Sequence, residues 1–308
     1  MFSIIVPVFN RANHLRRSLD AILAAAPIGA QIVVVDDGST DDTSRILASY
    51  GDRLVVARQD RGGPGAARNR GIELATHEYI AFMDSDDLFF PWAFDVYRAV
   101  VEQYARPSLV IAHAVHFRSE SELVSVTNQT CDTQAFPDYI AASGTPMWHG
   151  ASVIVAKTAA LREAGGFFTG DANAEDSDIL LRMGTAPGFV RILAPATVAD
   201  RNHDAAATSD LSRSARGVHH IVRREAARRY PGGDARQKER ATIITRHSRA
   251  MTLNGARNGL LRESAALYAD TMMANLSLGR LRYVIGFPFV WLWHALFSRR
   301  LRSRRNPA

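Results

Sequence analysis

Apolar and polar positions follow two different patterns along the first 200 residues, one of short apolar runs and one of apolar residues at helical spacing. Short, mostly apolar runs predict strands at residues 3–9, 31–35, 54–57 and 79–83, and those at 31–35 and 79–83 are expected to be buried. Between these runs, apolar residues recur at helical spacing, as Leu15, Leu19 and Ile22 do. The resulting β-α-β-α-β-α-β order predicts an α/β fold with a mostly parallel sheet covered by helices.

The next 120 residues predict further elements with less regular spacing. They comprise helices at 91–104, 159–164 and 175–182 and strands at 109–117, 152–156 and 189–193, whereas residues 120–142 have no clear pattern. Two local signals predict helix starts. Asn10 is expected to cap the helix after the first strand, and Ser39 with Asp42 is expected to form a capping box.

The pattern changes near residue 205, so we expect three regions: 1–205, 206–279 and 280–308. The middle region is rich in Arg and Ala at helical spacing and is broken at 231–233 by Pro-Gly-Gly. The last region has an apolar, aromatic run at 283–297 with arginines on both sides. This run is shorter than the roughly 20 residues of a membrane-spanning helix, and Pro288 is expected to interrupt it. It predicts a segment that lies on an anionic membrane surface, with a core helix followed by a basic tail as the alternative.

Composition narrows the class of protein. A hydrophobic content of 47% with 22% charged residues indicates a globular chain. Cys131 is the single cysteine, which excludes a disulfide framework and a cysteine-based zinc site and suits a reducing compartment. Pro7 and Asn10 interrupt the first apolar stretch, so we expect no secretory signal. The net charge of +6 reflects arginines concentrated after residue 212, which points to nucleic acid or an anionic membrane as a partner.

Three carboxylates follow the predicted strand at 79–83. Asp84 and Asp86 are two residues apart, so at a strand end they can point the same way. Buried, unpaired carboxylates are costly, and oxygen ligands in this arrangement suit Mg²⁺ or Mn²⁺ whose other ligands are substrate phosphates. The alternative is a polar turn that caps the helix after Pro91.

Polar residues also follow the other predicted parallel strands. Asn10 follows the first strand, and Asp36 and Asp37 follow the second. Ligands of open α/β sheets bind beyond the carboxyl ends of the strands, so these side chains and the acids at 84–86 predict one shared site.

Five segments in order resemble one known family. They are IIVPVFN at 4–10, VVVDDGSTD at 33–41, GAARNRG at 65–71, YIAFMDSDD at 79–87 and EDSDILLR at 175–182. Together they resemble the family 2 glycosyltransferases, over roughly residues 1–205. The resemblance implies a Rossmann-like GT-A domain, a nucleotide-sugar donor (UDP rather than GDP or dTDP), a divalent Mn²⁺ or Mg²⁺ ion, and inversion at the anomeric carbon.

The resemblance also implies roles for individual residues. The donor nucleotide would contact a set made up of Pro7, Val8, Phe9, Asp36, Arg68, Asp84 and Ser85. Asp86 would hold the metal ion, and His203 stands where many relatives have a histidine that reaches the metal or diphosphate. For Asp36 and Arg68 the alternatives are a cap and a solvated helix arginine.

Inversion by direct displacement needs a base for the acceptor hydroxyl. Asp176 matches the base position of the family and Glu175 is the second candidate, although acids also favour a helix N-terminus for electrostatic reasons. On the acceptor side, Trp148, His149 and Gly150 precede a predicted strand, where an aromatic ring could stack on a sugar or pack in the core.

The sequence therefore predicts an inverting, metal-dependent glycosyltransferase on the inner, cytoplasmic face of a membrane. Its acceptor would be a glycan or a lipid-linked sugar in cell-surface polysaccharide synthesis, and its Ala-rich helices could pair into an oligomer. Competing hypotheses are an inactive, membrane-bound scaffold and a basic nucleic-acid-binding protein. A sugar nucleotidyltransferase would need a Gly-rich loop where Asn10-Arg11 stands, and a dinucleotide oxidoreductase would need G-x-G-x-x-G there.

Overall fold

The structure is a computed structural model that describes residues 1–147, 150–202 and 210–302, with side chains described up to residue 297. Its residues divide into two compact units. Unit 1 comprises 1–142, 147–170 and 175–206, and unit 2 comprises 143–146, 171–174 and 207–308.

Unit 1 is an α/β unit whose strands and helices alternate at first and then become irregular. Its strands are β1 (Phe2–Val8), β2 (Gln31–Asp36), β3 (Val55–Arg58), β4 (Tyr79–Phe82), β5 (Leu88–Phe89), β6 (Leu109–Ile111), β7 (Ala114–Phe117), β8 (Asp132–Phe136), β9 (Ile154–Lys157), β10 (Phe189–Ala194) and β11 (Val198–Arg201). Its helices are α1 (Ala12–Ala25), α2 (Thr43–Ala48), α3 (Pro64–Leu74), α4 (Ala93–Gln103), α5 (Thr158–Glu163) and α6 (Glu175–Arg182).

Eight strands form one sheet in the order β3-β2-β1-β4-β9-β6-β10-β8. The first four are parallel, as predicted. Strands β1, β2 and β4 are apolar along their length because they are buried on both faces, whereas β3 lies at the sheet edge and is mostly exposed. All seven residues of β1 and all four of β4 are buried. Strand β9 is antiparallel to both of its neighbours, and β8 is antiparallel to β10, so the sheet is mixed beyond β4. The predicted α/β fold is confirmed.

The expected strand at 109–117 is two strands in different sheets. Strand β6 belongs to the large sheet, whereas β7 pairs with β11 in a three-stranded sheet of order β5-β11-β7. The mostly apolar run hid the break, because only His113 and His116 interrupt it. This small sheet matters because β11 lies beside the chain that follows β4.

Two predicted helix caps are wrong. The Asn10 side chain accepts a hydrogen bond from the Thr40 backbone N–H and does not cap α1. The Ser39 hydroxyl accepts from the Asn10 N–H, and α2 has no side-chain cap. These polar side chains instead join the segments that follow β1 and β2, which fixes the spacing of two strand ends.

Unit 2 is helical over most of its described length. Its helices are α7 (Leu211–Ala226), α8 (Gln237–Arg257), α9 (Leu261–Ser277) and α10 (Leu281–Arg302). Arg240 is buried between α7 and α8, where it pairs with Glu225 at 2.8 Å and donates to the carbonyls of Pro231 and Gly233. The Pro-Gly-Gly break is therefore held by a buried guanidinium.

Contrary to the sequence prediction, Pro288 does not interrupt the last helix. Helix α10 is 22 residues long in total and contains Pro288 in its interior. Among the helices that the structure describes, none is both long and apolar enough to cross a membrane.

Candidate active site

Three strand ends meet along one edge of the large sheet. Val8 pairs with Asp36 at the ends of β1 and β2, and Ile5 pairs with Phe82 at the end of β4. Because the three strands are parallel, the segments after Val8, Asp36 and Phe82 leave the sheet on the same side. The convergence predicted from the sequence is therefore present.

Asp36 is buried at this edge with several internal partners. Its Oδ1 accepts the Ser39 N–H at 2.9 Å, and its Oδ2 accepts from Ser44 and from Arg58 at 3.1 Å. Asp37 accepts from the N–H groups of Gly62 and Gly63, both at 2.8 Å. Asp37 thus fixes the loop before α3. The contact between Asp36 and a nucleotide base stays a prediction.

The other residues expected to contact the base lie at the end of β1. Pro7 and Val8 are buried, and Phe9 is partly exposed. The Arg61 guanidinium lies 3.7 Å from the centre of the Phe9 ring, which is a cation–π contact on one face of the ring. Sequence analysis did not identify Arg61, because a lone loop arginine carries no pattern.

Arg68 joins the two acidic parts of the site. Its side chain is 4% exposed, and its guanidinium donates to Asp84 at 2.7 Å and to Glu175 at 2.8 Å. Its ring contact with Phe167 places the guanidinium 5.4 Å from the ring centre. Arg68 thus neutralises two carboxylates. Direct contact of Arg68 with a nucleotide remains a prediction.

The GAARNRG segment explains how Arg68 reaches both acids. A side chain at Gly65 would meet the Phe168 carbonyl at 2.4 Å, and one at Gly71 would meet Ile5 at 2.3 Å, so only glycine allows α3 to pack this closely. Asn69 then exchanges two hydrogen bonds with the backbone of Phe167, at 2.7 and 2.8 Å. The loop that leads to α6 is thereby attached to α3.

Asp176 has the electrostatic setting of a proton acceptor. Burial, followed by the negative charge of Glu175, raises the pKa of Asp176 to about 7, against the lowering effect of a Ser177 N–H bond and of Arg68. The Ser177 N–H donates to Asp176 Oδ1 at 2.6 Å. A carboxylate of this pKa exchanges protons near neutral pH, which is the property a general base needs.

The acids after β4 have different surroundings. The Asp84 side chain is 39% exposed and Asp86 is 13% exposed, with Arg11 Nε 3.6 Å from Asp86. Ser85 is buried. Asp87 is buried and accepts from the Ser152 hydroxyl at 2.6 Å and from the Arg201 N–H at 2.8 Å. Asp87 therefore holds the segment in place, whereas the side chains of Asp84 and Asp86 are partly accessible to solvent.

Asp200 on β11 is an acid that sequence analysis missed. Burial raises its pKa, and the neighbouring charges of Asp84 and Asp86 raise it further, while His116, with Nδ1 at 3.8 Å, opposes them. An aspartate inside a short strand is unusual, and this is the signal that sequence analysis could have used.

The acids at 84 and 86 fit a divalent cation by their chemistry. Mg²⁺ and Mn²⁺ prefer carboxylate oxygens, and Mg²⁺ is commonly bound by one or two carboxylates together with substrate phosphates. Within the described ranges, no group of three or more His, Cys, Asp or Glu side chains forms a complete metal site by itself. Asp84 and Asp86 thus suit a cation that the diphosphate would help to bind.

Three of the predicted site residues, Trp148, His149 and His203, lie outside the described residues. Gly150 is described, and it immediately precedes a short 3₁₀ turn at Ala151–Val153. That turn contains Ser152, whose hydroxyl also accepts the Asp84 N–H at 3.0 Å. Ser152, two residues after Gly150, therefore supports the acids directly, and an acceptor contact at Gly150 stays a prediction.

Curated relatives resemble part of the chain. An uncharacterized glycosyltransferase of Rickettsia typhi is 42% identical over 91 residues, which are 30% of this chain and 29% of the relative. The minor teichoic acid biosynthesis protein GgaA of Bacillus subtilis is 36% identical over 99 residues, or 29% of this chain and 22% of the relative. These matches span less than a third of the relatives' length.

Solved structures resemble nearly the whole chain in fold. TarS 1-349 of S. aureus, in complex with UDP-GlcNAc, has a TM-score of 0.67 at 18% identity over 96% of this chain and 91% of that one. The mannosyltransferase PcManGT of Pyrobaculum calidifontis, in complex with GDP-Man and Mn²⁺, has a TM-score of 0.51 at 21% identity over 95% of this chain and 87% of that one. At this level of identity the likeness establishes the fold.

The family follows from the sequence match itself. Residues 3–158, half of the chain, match the family described as Glycosyl transferase family 2. The match contains the three strand ends, Arg68 and the acids after β4. This chain therefore belongs to glycosyl transferase family 2, and its first unit has the GT-A fold of that family.

Proposed function

We propose that this chain is an inverting glycosyltransferase that moves a sugar from a nucleoside-diphosphate sugar to a hydroxyl group of a glycan or lipid-linked acceptor. The observation that carries the proposal is the position of Arg68 between Asp84 and Glu175, next to a carboxyl group, Asp176, with a pKa of about 7. Asp84 belongs to the acidic segment at the strand ends, and Glu175 and Asp176 begin α6. The buried guanidinium of Arg68 thus bonds both to Asp84, which we propose lies near the donor phosphates, and to Glu175, which we propose lies near the acceptor.

Asp176 is the proposed general base. Its carboxylate would take the proton of the acceptor hydroxyl while the hydroxyl oxygen bonds to the anomeric carbon. The bond from that carbon to the donor phosphate breaks with its electron pair, and the nucleoside diphosphate leaves from the opposite face. Inversion follows because attack and departure occur on opposite sides in one step.

Glu175 supports the base from the adjacent position. Its negative charge raises the pKa of Asp176, whereas Arg68 lowers it, so the two side chains set the pKa in opposite directions. Glu175 is bonded to Arg68 at 2.8 Å and so is less available as a base than Asp176. This difference favours Asp176 over Glu175, the second candidate.

Asp84 and Asp86 are the residues that would hold Mn²⁺ or Mg²⁺, with His203 as a further proposed ligand. When bound, the ion offsets the negative charge that builds on the departing diphosphate. Asp86 is near Arg11, and Asp84 is bonded to Arg68, so the protein already places positive charge beside both acids.

For the donor we propose a UDP-sugar. The support is that TarS, which this chain resembles in fold, was solved with UDP and with UDP-GlcNAc. PcManGT, with its GDP-Man, makes a GDP-sugar the second candidate. The name of GgaA, a teichoic acid biosynthesis protein, supports an acceptor in cell-surface polymer synthesis. The proposed location, the inner face of a membrane, rests on the sequence prediction alone.

The test is release of the nucleoside diphosphate from UDP-GlcNAc and from GDP-mannose, with Mn²⁺ and a lipid extract as the source of acceptors. We expect release from one donor, loss of release in Asp176→Asn, and normal release in Glu163→Gln, which removes an exposed acid on α5. Equal activity of Asp176→Asn and the unaltered chain would refute the assignment of the base.

A further inference from the structure

The last helix of unit 2, α10, has one side fixed and one side exposed. On the fixed side, Trp291 donates its indole N–H to the Leu261 carbonyl at 2.8 Å, and Phe287 stacks on Tyr268 with ring centres 4.8 Å apart. Tyr268 also donates to the Val284 carbonyl at 2.7 Å. These contacts with α9 determine which residues of α10 face outward.

The exposed side of α10 is apolar over three turns. Its large side chains are Ile285 (63% exposed), Phe289 (70%), Leu292 (49%), Trp293 (62%) and Leu296 (56%). They recur at spacings of three and four residues, so they share one face of the helix. Half of the exposed large apolar side chains of the described chain belong to this single helix. A contiguous face of this kind marks an interaction surface.

The charge of the surrounding sequence identifies the partner. After Asp270 the chain contains seven arginines and no aspartate or glutamate. The whole chain has 37 basic and 31 acidic residues. The part that precedes this stretch therefore has 30 basic and 31 acidic residues. The entire positive excess of the protein lies in the segment that includes the apolar face.

We propose that the exposed face of α10 lies in the surface of an anionic lipid bilayer. The apolar side chains would enter the boundary between headgroups and acyl chains, with Trp293 at the level where tryptophan is favoured. The flanking arginines would contact lipid phosphates. This inference does not depend on the transferase activity.

Two other partners fit the observations less well. In a symmetric dimer the exposed face of α10 would pack against the same face of the second copy. Two segments, each with seven arginines and no acidic residue, would then lie close together and repel each other. A nucleic acid would pair with the arginines but would leave Ile285, Leu292 and Leu296 in water.

The test is flotation of the full-length chain with vesicles of phosphatidylcholine alone and of phosphatidylcholine with about one third phosphatidylglycerol. The unaltered chain is expected to float with the anionic vesicles, less so as salt increases. Phe289→Ser with Trp293→Ser should lower the partition coefficient about tenfold or more. The control is Ile28→Ser with Val124→Ser, which removes two highly exposed apolar side chains from unit 1 (107% and 84% exposed) and should leave binding unchanged.

Three outcomes would overturn the proposal. They are no flotation of the unaltered chain, equal flotation of the Phe289/Trp293 variant, and a dimer in sedimentation velocity that this variant converts to monomer. The last would assign the face to a second copy. Because flotation requires no donor or acceptor, a negative result here leaves the transferase proposal untouched, and the reverse also holds.

Discussion

Arg68 and Glu175 lie 107 positions apart in the sequence, and their side chains meet at 2.8 Å. The contact joins α3, next to the parallel strands, to the first turn of α6. Since the same guanidinium also binds Asp84, one residue determines the electrostatic relation between the two acidic segments.

Replacing Arg68 with methionine should destabilise unit 1 and impair the site. Removing one partner of a buried ion pair leaves uncompensated charge and costs about 3–5 kcal/mol of unfolding free energy. The matched control is Arg70→Met in the same helix, because Arg70 pairs with Glu73 in an exposed i,i+3 bridge worth less than about 0.5 kcal/mol. Urea denaturation of both variants measures the difference, and similar values would contradict a buried, paired role for Arg68.

Replacing Asp176 with asparagine should separate binding from turnover. The amide keeps an oxygen for the Ser177 N–H but cannot accept the acceptor proton, so donor affinity stays near normal while kcat falls at least about a hundredfold. Titration calorimetry and initial rates give the two quantities. Equal losses in both would indicate a structural role.

The same substitution should raise stability above neutral pH. The pKa of Asp176 is raised to about 7 in the folded state, so the ionised form is disfavoured there, and stability falls as pH rises from the ordinary carboxyl range through 7. Asp176→Asn removes this loss and should increase the unfolding free energy at pH 8 by about 1–3 kcal/mol. No gain at pH 8 relative to pH 5 would contradict the raised pKa.

The pH dependence of kcat/KM should have an acid limb near pH 7. The base acts only when ionised, so the rate falls as pH drops through the pKa of Asp176, about tenfold per pH unit. Rates measured between about pH 5 and 9 with a saturating metal concentration test this. A rate that stays constant down to pH 5 would exclude Asp176 as the base.

Ser152→Ala should affect the acids without removing any of them. The Ser152 hydroxyl donates to Asp87 at 2.6 Å and accepts the Asp84 N–H at 3.0 Å. Loss of the hydroxyl therefore removes a partner from the partly buried Asp84 N–H and leaves the buried Asp87 with the Arg201 N–H. We expect a loss of about 1–3 kcal/mol in unfolding free energy and weaker nucleotide binding. Ser49→Ala, which removes an exposed hydroxyl at the end of α2, is the control and should change neither.

The parallel half of the fold could be predicted because its signal is local. Strands β1, β2 and β4 are buried along nearly their whole length, so the apolar runs identify them without any knowledge of partners. The family-like segments lie at the ends of these strands or on α3 and α6, which is why the sequence indicated the site as well.

The remaining features depend on contacts between distant segments. The antiparallel direction of β9 depends on its pairing with β4 and β6, and no periodicity in the sequence encodes it. Asn10 was expected to cap α1, but a competing partner, the Thr40 N–H, is supplied from 30 residues away. The same reason explains why sequence analysis missed Asp200, Arg11 and Arg61. Their neighbours in the site are distant in sequence and come close only in the folded chain.

The central claim is that the acids at the end of β4 and the strand ends beside them bind a nucleoside diphosphate together with a divalent cation. The most direct measurement is calorimetric titration of UDP, GDP and dTDP, with and without Mn²⁺, into the unaltered chain and into Asp86→Ala. We predict that UDP binds, that Mn²⁺ strengthens its binding, and that this effect of Mn²⁺ is lost in Asp86→Ala. Binding of none of the three nucleotides, or an unchanged effect of Mn²⁺ in Asp86→Ala, would contradict the claim.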